Sequence, residues 1–204
     1  MTLHLNKKGF RVLGIAESFV KAEPSSQLAG VVMRRDLRID GFGFTKITVG
    51  GDDATEGVLK IFSDLDRKDV NAILLNGTVI SWFNVIDMER VFEELALPTI
   101  SLTYEESEGL EGYIQEYFFD PEEKIRLYRK LGTRDPLMLR TGYQVYARSL
   151  GATLEETKGL LNAFTLDGRV PEPLRVLQGS LQESYLKGEM NLQIRDKKHE
   201  KSAK

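Results

Sequence analysis

The hydrophobic period of this chain changes once, at Gly50–Gly51, and that change limits the folds open to it. Upstream, short apolar runs are separated by turn residues. Phe10–Ile15 reads as a strand, and Lys21–Gln27, with Pro24 and two serines, as a loop. Leu28–Met33 reads as a second strand, Arg34–Asp36 as a tight connection, and Arg38–Val49 as a long third strand. Connections this short make the three strands an antiparallel meander. Gly41 and Gly43 predict a bulge or a close backbone approach in the third strand.

Downstream the spacing becomes helical. Asp53-x-x-Glu56 has the form of a capping box, and Val58, Leu59, Ile61, Phe62 and Leu65 follow at helical intervals. Asn71–Asn76 is a continuous apolar run, which suits a strand covered on both faces. Asn84 is expected to cap a second helix, and Pro98–Leu102 to be a fifth strand. The order is βββ-α-β-α-β, an α/β chain with a mixed five-stranded sheet. Additional C-terminal helices are expected over Leu110–Phe118, Pro121–Leu131, Gly142–Leu150, Leu154–Phe164 and Pro173–Leu186. Thr153-x-x-Glu156 forms another capping box. The reading is one domain over residues 1–186, followed by a flexible basic tail over 187–204 with six Lys/Arg and three acids.

Composition narrows the chemistry. Among 204 residues there is no cysteine, and the two histidines, His4 and His199, lie near the ends. Thiol nucleophiles, zinc fingers and a Ser-His-Asp triad are therefore not expected, and carboxylates and amides must carry any reaction, with a hard metal such as magnesium. A net charge of -3 gives no global attraction to nucleic acid or anionic membrane. With no apolar run long enough to span a bilayer and no leader-like segment, the expected location is the cytoplasm. The charge is nevertheless sorted. Residues 105–123 hold seven glutamates and Asp120, whereas 124–148 hold seven Lys/Arg against Asp135 alone. That basic block carries Tyr128, Tyr143 and Tyr146 and suits a strand-binding face. The simpler reading is a solvated face neutralised by the acids just before it. Sorted charge also suits a homodimer or a protein partner.

Individual motifs are less decisive. Gly50–Gly51 before a helix is a poor phosphate turn, because Asp52 and Asp53 follow and the P-loop lysine is missing. Asp52, Asp53 and Glu56 form an acidic cluster that holds magnesium only with a further carboxylate from another strand. Asn76-Gly77-Thr78 ends the central strand, where open α/β sheets place their sites, though Asn-Gly is equally a turn. Trp82, the single tryptophan, either stacks on a base or, more simply, closes a core edge. Thr78, Trp82 and Asn84 are the candidate nucleic-acid contacts.

The segments Arg11–Phe19, Leu28–Phe42, Ile47–Glu56, Leu74–Asp87 and Val170–Arg175 together resemble the archaeal family of uncharacterised proteins related to endonuclease V. The resemblance implies a ribonuclease-H-like fold, whose order is the βββ-α-β-α-β read above. It also implies cutting of nucleic acid near deaminated purines with carboxylate-held magnesium. Such chemistry takes one acid from the first strand, one from the region after the third and one from the end of the fourth. Here the first-strand pattern Gly-Ile-Asp-Asp is replaced by Gly14-Ile15-Ala16-Glu17, and the fourth-strand Asp-Gly by Asn76-Gly77. Asp52, Asp53 and Glu56 remain of the third set. Glu17 alternates with residue 16 and is expected on the opposite face. Each lost anion weakens attraction for a nearby metal by about 4 kcal/mol or more at an effective dielectric of ~20.

The leading expectation is thus a degenerate, non-catalytic endonuclease-V-like protein that binds single-stranded nucleic acid, with magnesium held weakly if at all. The enzyme alternative is a divergent magnesium nuclease using Glu17, Asp53 and Glu56, with Asn76 beside them and Asp53 and Glu56 on the metal. The third is a protein-interaction module.

Overall fold

In the computed structural model, residues 3–5, 7, 9–107 and 109–179 are described. The expected tail over 187–204, the end of the helix expected over Pro173–Leu186, and His199 lie outside them. The first strand, β1 (Arg11–Ser18), alternates residues that are buried on both sides and so takes the middle of a sheet. It pairs antiparallel with β2 (Ser25–Arg34), which pairs antiparallel with β3 (Ile39–Thr48). The meander is therefore as expected. The ladder slips between Val32 and Met33, opposite Gly41, and a Cβ on Gly43 would lie 2.9 Å from Ile61. Both glycines thus serve the bulge and the close approach that their positions predict.

Helix α1 (Ala54–Leu65) crosses to β4 (Ala72–Asn76), which lies parallel to β1 with Ile15 opposite Leu75. Helix α2 (Met88–Leu95) then leads to β7 (Thr99–Thr103), parallel to β4. Between β4 and α2 a small hairpin stands off the sheet, made of β5 (Val79–Ile80) and β6 (Asn84–Val85). The second expected helix therefore starts four residues later than Asn84, at Met88, with Asp87 as its N-cap and the Arg90 N–H donating to it. Asn84 is spent on the hairpin instead.

The chain after β7 contains α3 (Glu111–Tyr117), α4 (Glu122–Lys130), β8 (Asp135–Met138), β9 (Gln144–Leu150) and α5 (Leu154–Phe164). Residues 172–179 are helical and are called α6 here. The helix expected over Gly142–Leu150 is in fact β9, antiparallel to β7 and β8. Its residues alternate: Val145 and Ala147 are buried on one side, while Tyr146 and Arg148 stand on the other. The sheet thus has seven strands rather than five, in the order β3-β2-β1-β4-β7-β9-β8. The ribonuclease-H-like βββ-α-β-α-β order is intact within it. The capping box expected at Thr153 and Glu156 forms in full.

Two cores sandwich the sheet. Leu13, Ile15, Ile73 and Leu75 pack under Val58 and Ile61 of α1 and Val91 of α2. Val12, Leu74, Ile100 and Leu102 pack under Leu160, Leu161 and Phe164 of α5 and Leu174 of α6. Which face a β1 residue uses is thereby fixed by parity: even positions face α5 and α6, odd positions face α1 and α2. Among the described residues no helix is long and apolar enough to cross a membrane.

Candidate functional site

Continuing the β1–β4 register one step beyond Ile15 and Leu75 sets Ala16 beside Asn76 at the C-terminal edge of the sheet. Ala16 is 3 % exposed and packs with Ala29, Val31 and Leu177 of α6. Asn76 Oδ1 accepts a hydrogen bond of 3.1 Å from the Tyr104 hydroxyl. Burial pushes the Tyr104 phenol well above its usual range despite the opposing nearby arginines, Arg169 and Arg175, so it remains a donor to Asn76. A methyl group and an engaged amide thus stand where the resemblance implies two acids.

Glu17, one residue on, turns to the α1 side. Its Oε1 accepts from the Ser81 N–H at 3.2 Å, and its Oε2 is buried with no partner among the described residues. Burial raises its pKa, against the lowering effect of the Ser81 N–H. Beside it the Ser26 and Ser81 hydroxyls share a short hydrogen bond of 2.5 Å.

Asp53 is the N-cap residue of α1, but its side chain makes no bond to its own helix. It turns back, accepting from Thr48 N–H at 3.0 Å, Thr48 Oγ1 at 2.8 Å and Asn84 Nδ2 at 2.7 Å. Burial alone would raise its pKa, and these hydrogen bonds outweigh it, so the carboxyl lies below its usual range. Asn84 is fully buried and does the capping from a distance: its Oδ1 accepts from Ala54 N–H at 2.9 Å while Nδ2 also donates to Thr48 O at 2.9 Å. Glu56 points away, exposed, and pairs with Arg90 at 2.6 Å. Asp52 is held by Lys124 of α4, whose buried ammonium donates at 2.5 Å to Asp52, at 2.5 Å to Gly51 O and at 3.4 Å to Phe83 O.

The hairpin between β5 and β6 is unusual in its backbone. Ser81, Trp82 and Phe83 take φ of 45°, 59° and 62°, three successive left-handed residues with no glycine among them. Each costs about 1–2 kcal/mol. The turn is held by Glu17 on Ser81 N–H, by Gly50 N–H donating to Ser81 O at 2.8 Å, and by Lys124 on Phe83 O. At its tip Trp82 is half-buried among Phe19, Phe83 and Tyr117, with the Lys21 ammonium 3.6 Å above its ring. Thr78 is buried, and its hydroxyl accepts from Arg148 at 3.3 Å.

Of the residues singled out from sequence, Asp53 and Asn84 therefore meet directly. Glu17 reaches the same hairpin from the sheet, while Asn76 lies on the other face and Glu56 on the helix exterior. Ser26, Ser81, Tyr104 and Lys124 are the additions that sequence reasoning missed.

A profile of the family described as endonuclease dU matches residues 8–178. The chain belongs to the endonuclease dU family. A relative named UPF0215 protein, from Pyrobaculum calidifontis, is 36% identical over 167 residues, covering 81% of this chain and 92% of the relative. Among solved structures, a protein of unknown function from Archaeoglobus fulgidus superposes with a TM-score of 0.73 at 24% identity, covering 85% of this chain and 97% of that one. Endonuclease V from Ciona intestinalis, in complex with a 24mer DNA containing an inosine followed by a ribo-adenosine, superposes with a TM-score of 0.59 at 13% identity, covering 87% and 86%. The chain thus has the endonuclease-V-like, ribonuclease-H-like fold that its motifs imply.

A magnesium centre of the endonuclease V kind does not fit the side chains present. Among the described residues no group of three or more His, Cys, Asp or Glu is arranged to hold a metal ion. Asp53 spends both oxygens on Thr48 and Asn84, while Glu56 is paired through one oxygen with Arg90 and Asp52 through one oxygen with the Lys124 ammonium.

Proposed function

We propose that this chain is a nucleic-acid-binding member of the endonuclease dU family in which metal-dependent strand cleavage has been lost. The observation that carries the proposal is the pair Ala16 and Asn76 at the ends of β1 and β4. A buried methyl group under Leu177 offers a metal nothing, and Asn76 offers one neutral oxygen already bonded to Tyr104. Each missing anion removes on the order of 8 kcal/mol of attraction for a divalent ion about 4 Å away at an effective dielectric of about 20. Binding is supported by the likeness to endonuclease V held on DNA and by the aromatic hairpin tip beneath Lys21.

The test offers the full chain oligonucleotides containing dU or inosine, as DNA and as RNA, with millimolar magnesium or manganese. Binding without cleavage is the expected result. Metal-dependent turnover that disappears in Asp53→Ala or Glu56→Ala overturns the proposal and restores the divergent-nuclease alternative. The double variant Ala16→Asp/Asn76→Asp supplies the missing charges and is expected to bind manganese more tightly than the parent.

A further inference from the structure

The basic block over residues 124–148 is not uniformly neutralised. Lys124 is turned inward on Asp52, Arg126 pairs with Glu123 at 2.5 Å, and Lys130 pairs with Asp87 and Glu89, both at 2.9 Å. Arg134 and Arg148 differ. Neither has a carboxylate partner among the described residues. Arg134 donates to Thr103 Oγ1 at 2.8 Å and to Glu105 O at 3.1 Å, and its guanidinium lies 5.4 Å over the Tyr146 ring. Arg148 donates through Nε to Gly132 O at 3.1 Å and through Nη1 to Thr78 Oγ1 at 3.3 Å.

Both guanidiniums line one open groove of about 460 Å³, whose walls also carry Tyr128 and Tyr146. Glu106 and Glu111 belong to the same lining, but Glu111 lies 3.7 Å from Arg129 and Glu106 makes no ion pair with either inner arginine. Burial, and then the neighbouring Arg134 charge, both work against the charge on Arg148. Two like charges in one wall, oriented by carbonyl and hydroxyl oxygens and bonded to no carboxylate among the described residues, are the arrangement that an arriving anion relieves. The groove opens at the same edge of the sheet as the hairpin, since Arg148 touches Thr78 two residues past Asn76.

We infer that Arg134 and Arg148 form a phosphodiester-binding site for single-stranded nucleic acid, with Tyr128 and Tyr146 as the aromatic walls against which its bases lie. The inference rests on the nucleic-acid reading above and gives that reading its contact residues. Arginine suits the task because its planar fork meets two phosphate oxygens at once. Tyrosine faces tolerate any base, so the groove grips strand rather than sequence.

Fluorescence anisotropy with a labelled mixed-sequence single strand, repeated across a salt series, tests this. Arg134→Gln and Arg148→Gln are each expected to weaken binding about tenfold and to lower the slope of log affinity against log salt by about 0.7. Arg134→Lys and Arg148→Lys keep the charge and are expected to keep the slope; loss of slope in these variants overturns the charge account. An unchanged slope in the double glutamine variant, with binding intact, overturns the groove while leaving the nucleic-acid reading standing. A parent chain that binds neither DNA nor RNA overturns both. Thermal melting of each variant, expected within a few degrees of the parent, separates a lost contact from a lost fold.

Discussion

The two ends of the sheet's C-terminal edge treat charge in opposite ways. At the β1–β4 end both aspartates are answered, Asp53 by Thr48 and Asn84 and Asp52 by Lys124, and Ala16 carries no charge at all. At the β7–β9 end, Arg134 and Arg148 line one groove, and neither is paired with a carboxylate among the described residues. The first region is organised inward, to hold a strained hairpin and a helix terminus. The second is organised outward.

The sharpest way to break this contrast is Asn84→Ala. It leaves Ala54 N–H, Thr48 O and Asp53 short of a partner in a buried place, and is expected to cost about 3 kcal/mol in chemical denaturation. A cost near that of a surface substitution would mean that Asn84 is not a brace. Lys124→Met keeps the stem and removes the ammonium, and about 2 kcal/mol is expected from the two carbonyls it deserts. At the other end, phosphate at about five times its dissociation constant is expected to stabilise the parent by about 1 kcal/mol in thermal melts, and the Arg134→Gln/Arg148→Gln variant by less. Tyr104→Phe removes only the bond to Asn76, for about 1 kcal/mol.

The finest distinction is one of pH. Burial raises the pKa of Glu17, so the folded state favours its protonated form. Its contribution to stability is full below the unfolded pKa of about 4.3 and is lost as pH rises through the folded value. Glu17→Gln is therefore expected to gain stability over the parent as pH is raised from 4 towards 8. Asp53 has the opposite sign: its lowered pKa contributes stability above the unfolded value of about 3.9, lost as pH falls. Asp53→Asn is expected to cost most at neutral pH and least in acid. Parallel pH profiles for the two variants would show that the carboxylates share one environment.

Much of this was legible in the chain. That Ala16 and Asn76 stand where the resemblance implies two acids needs only the motifs, and the opposite orientation of Glu17 follows from strand parity. The meander, α1 and the run to β4 follow from hydrophobic period. Strand β9 was missed because Gly142–Leu150 carries Val145, Ala147 and Leu150 at intervals that suit a short helix as well as a strand, and only pairing with β7 decides between them. Lys124 was missed because the oxygens it serves lie 72 and 73 residues away, at Asp52 and Gly51. The hairpin was missed because Ser81, Trp82 and Phe83 include none of the residues that mark a left-handed turn.

That turn also sets an order of events. Its restraints come from β1, from Gly50 after β3, and from α4, so it cannot settle until parts of the chain on both sides of it have already met. A segment that stores strain and depends on every neighbour closes last during folding and opens first in the native state. The amides of Ser81 and its neighbours should therefore exchange with solvent well ahead of those in β1 and β4. Trp82 then becomes a natural reporter, by its fluorescence, of a small door that moves while the sheet beneath stays shut.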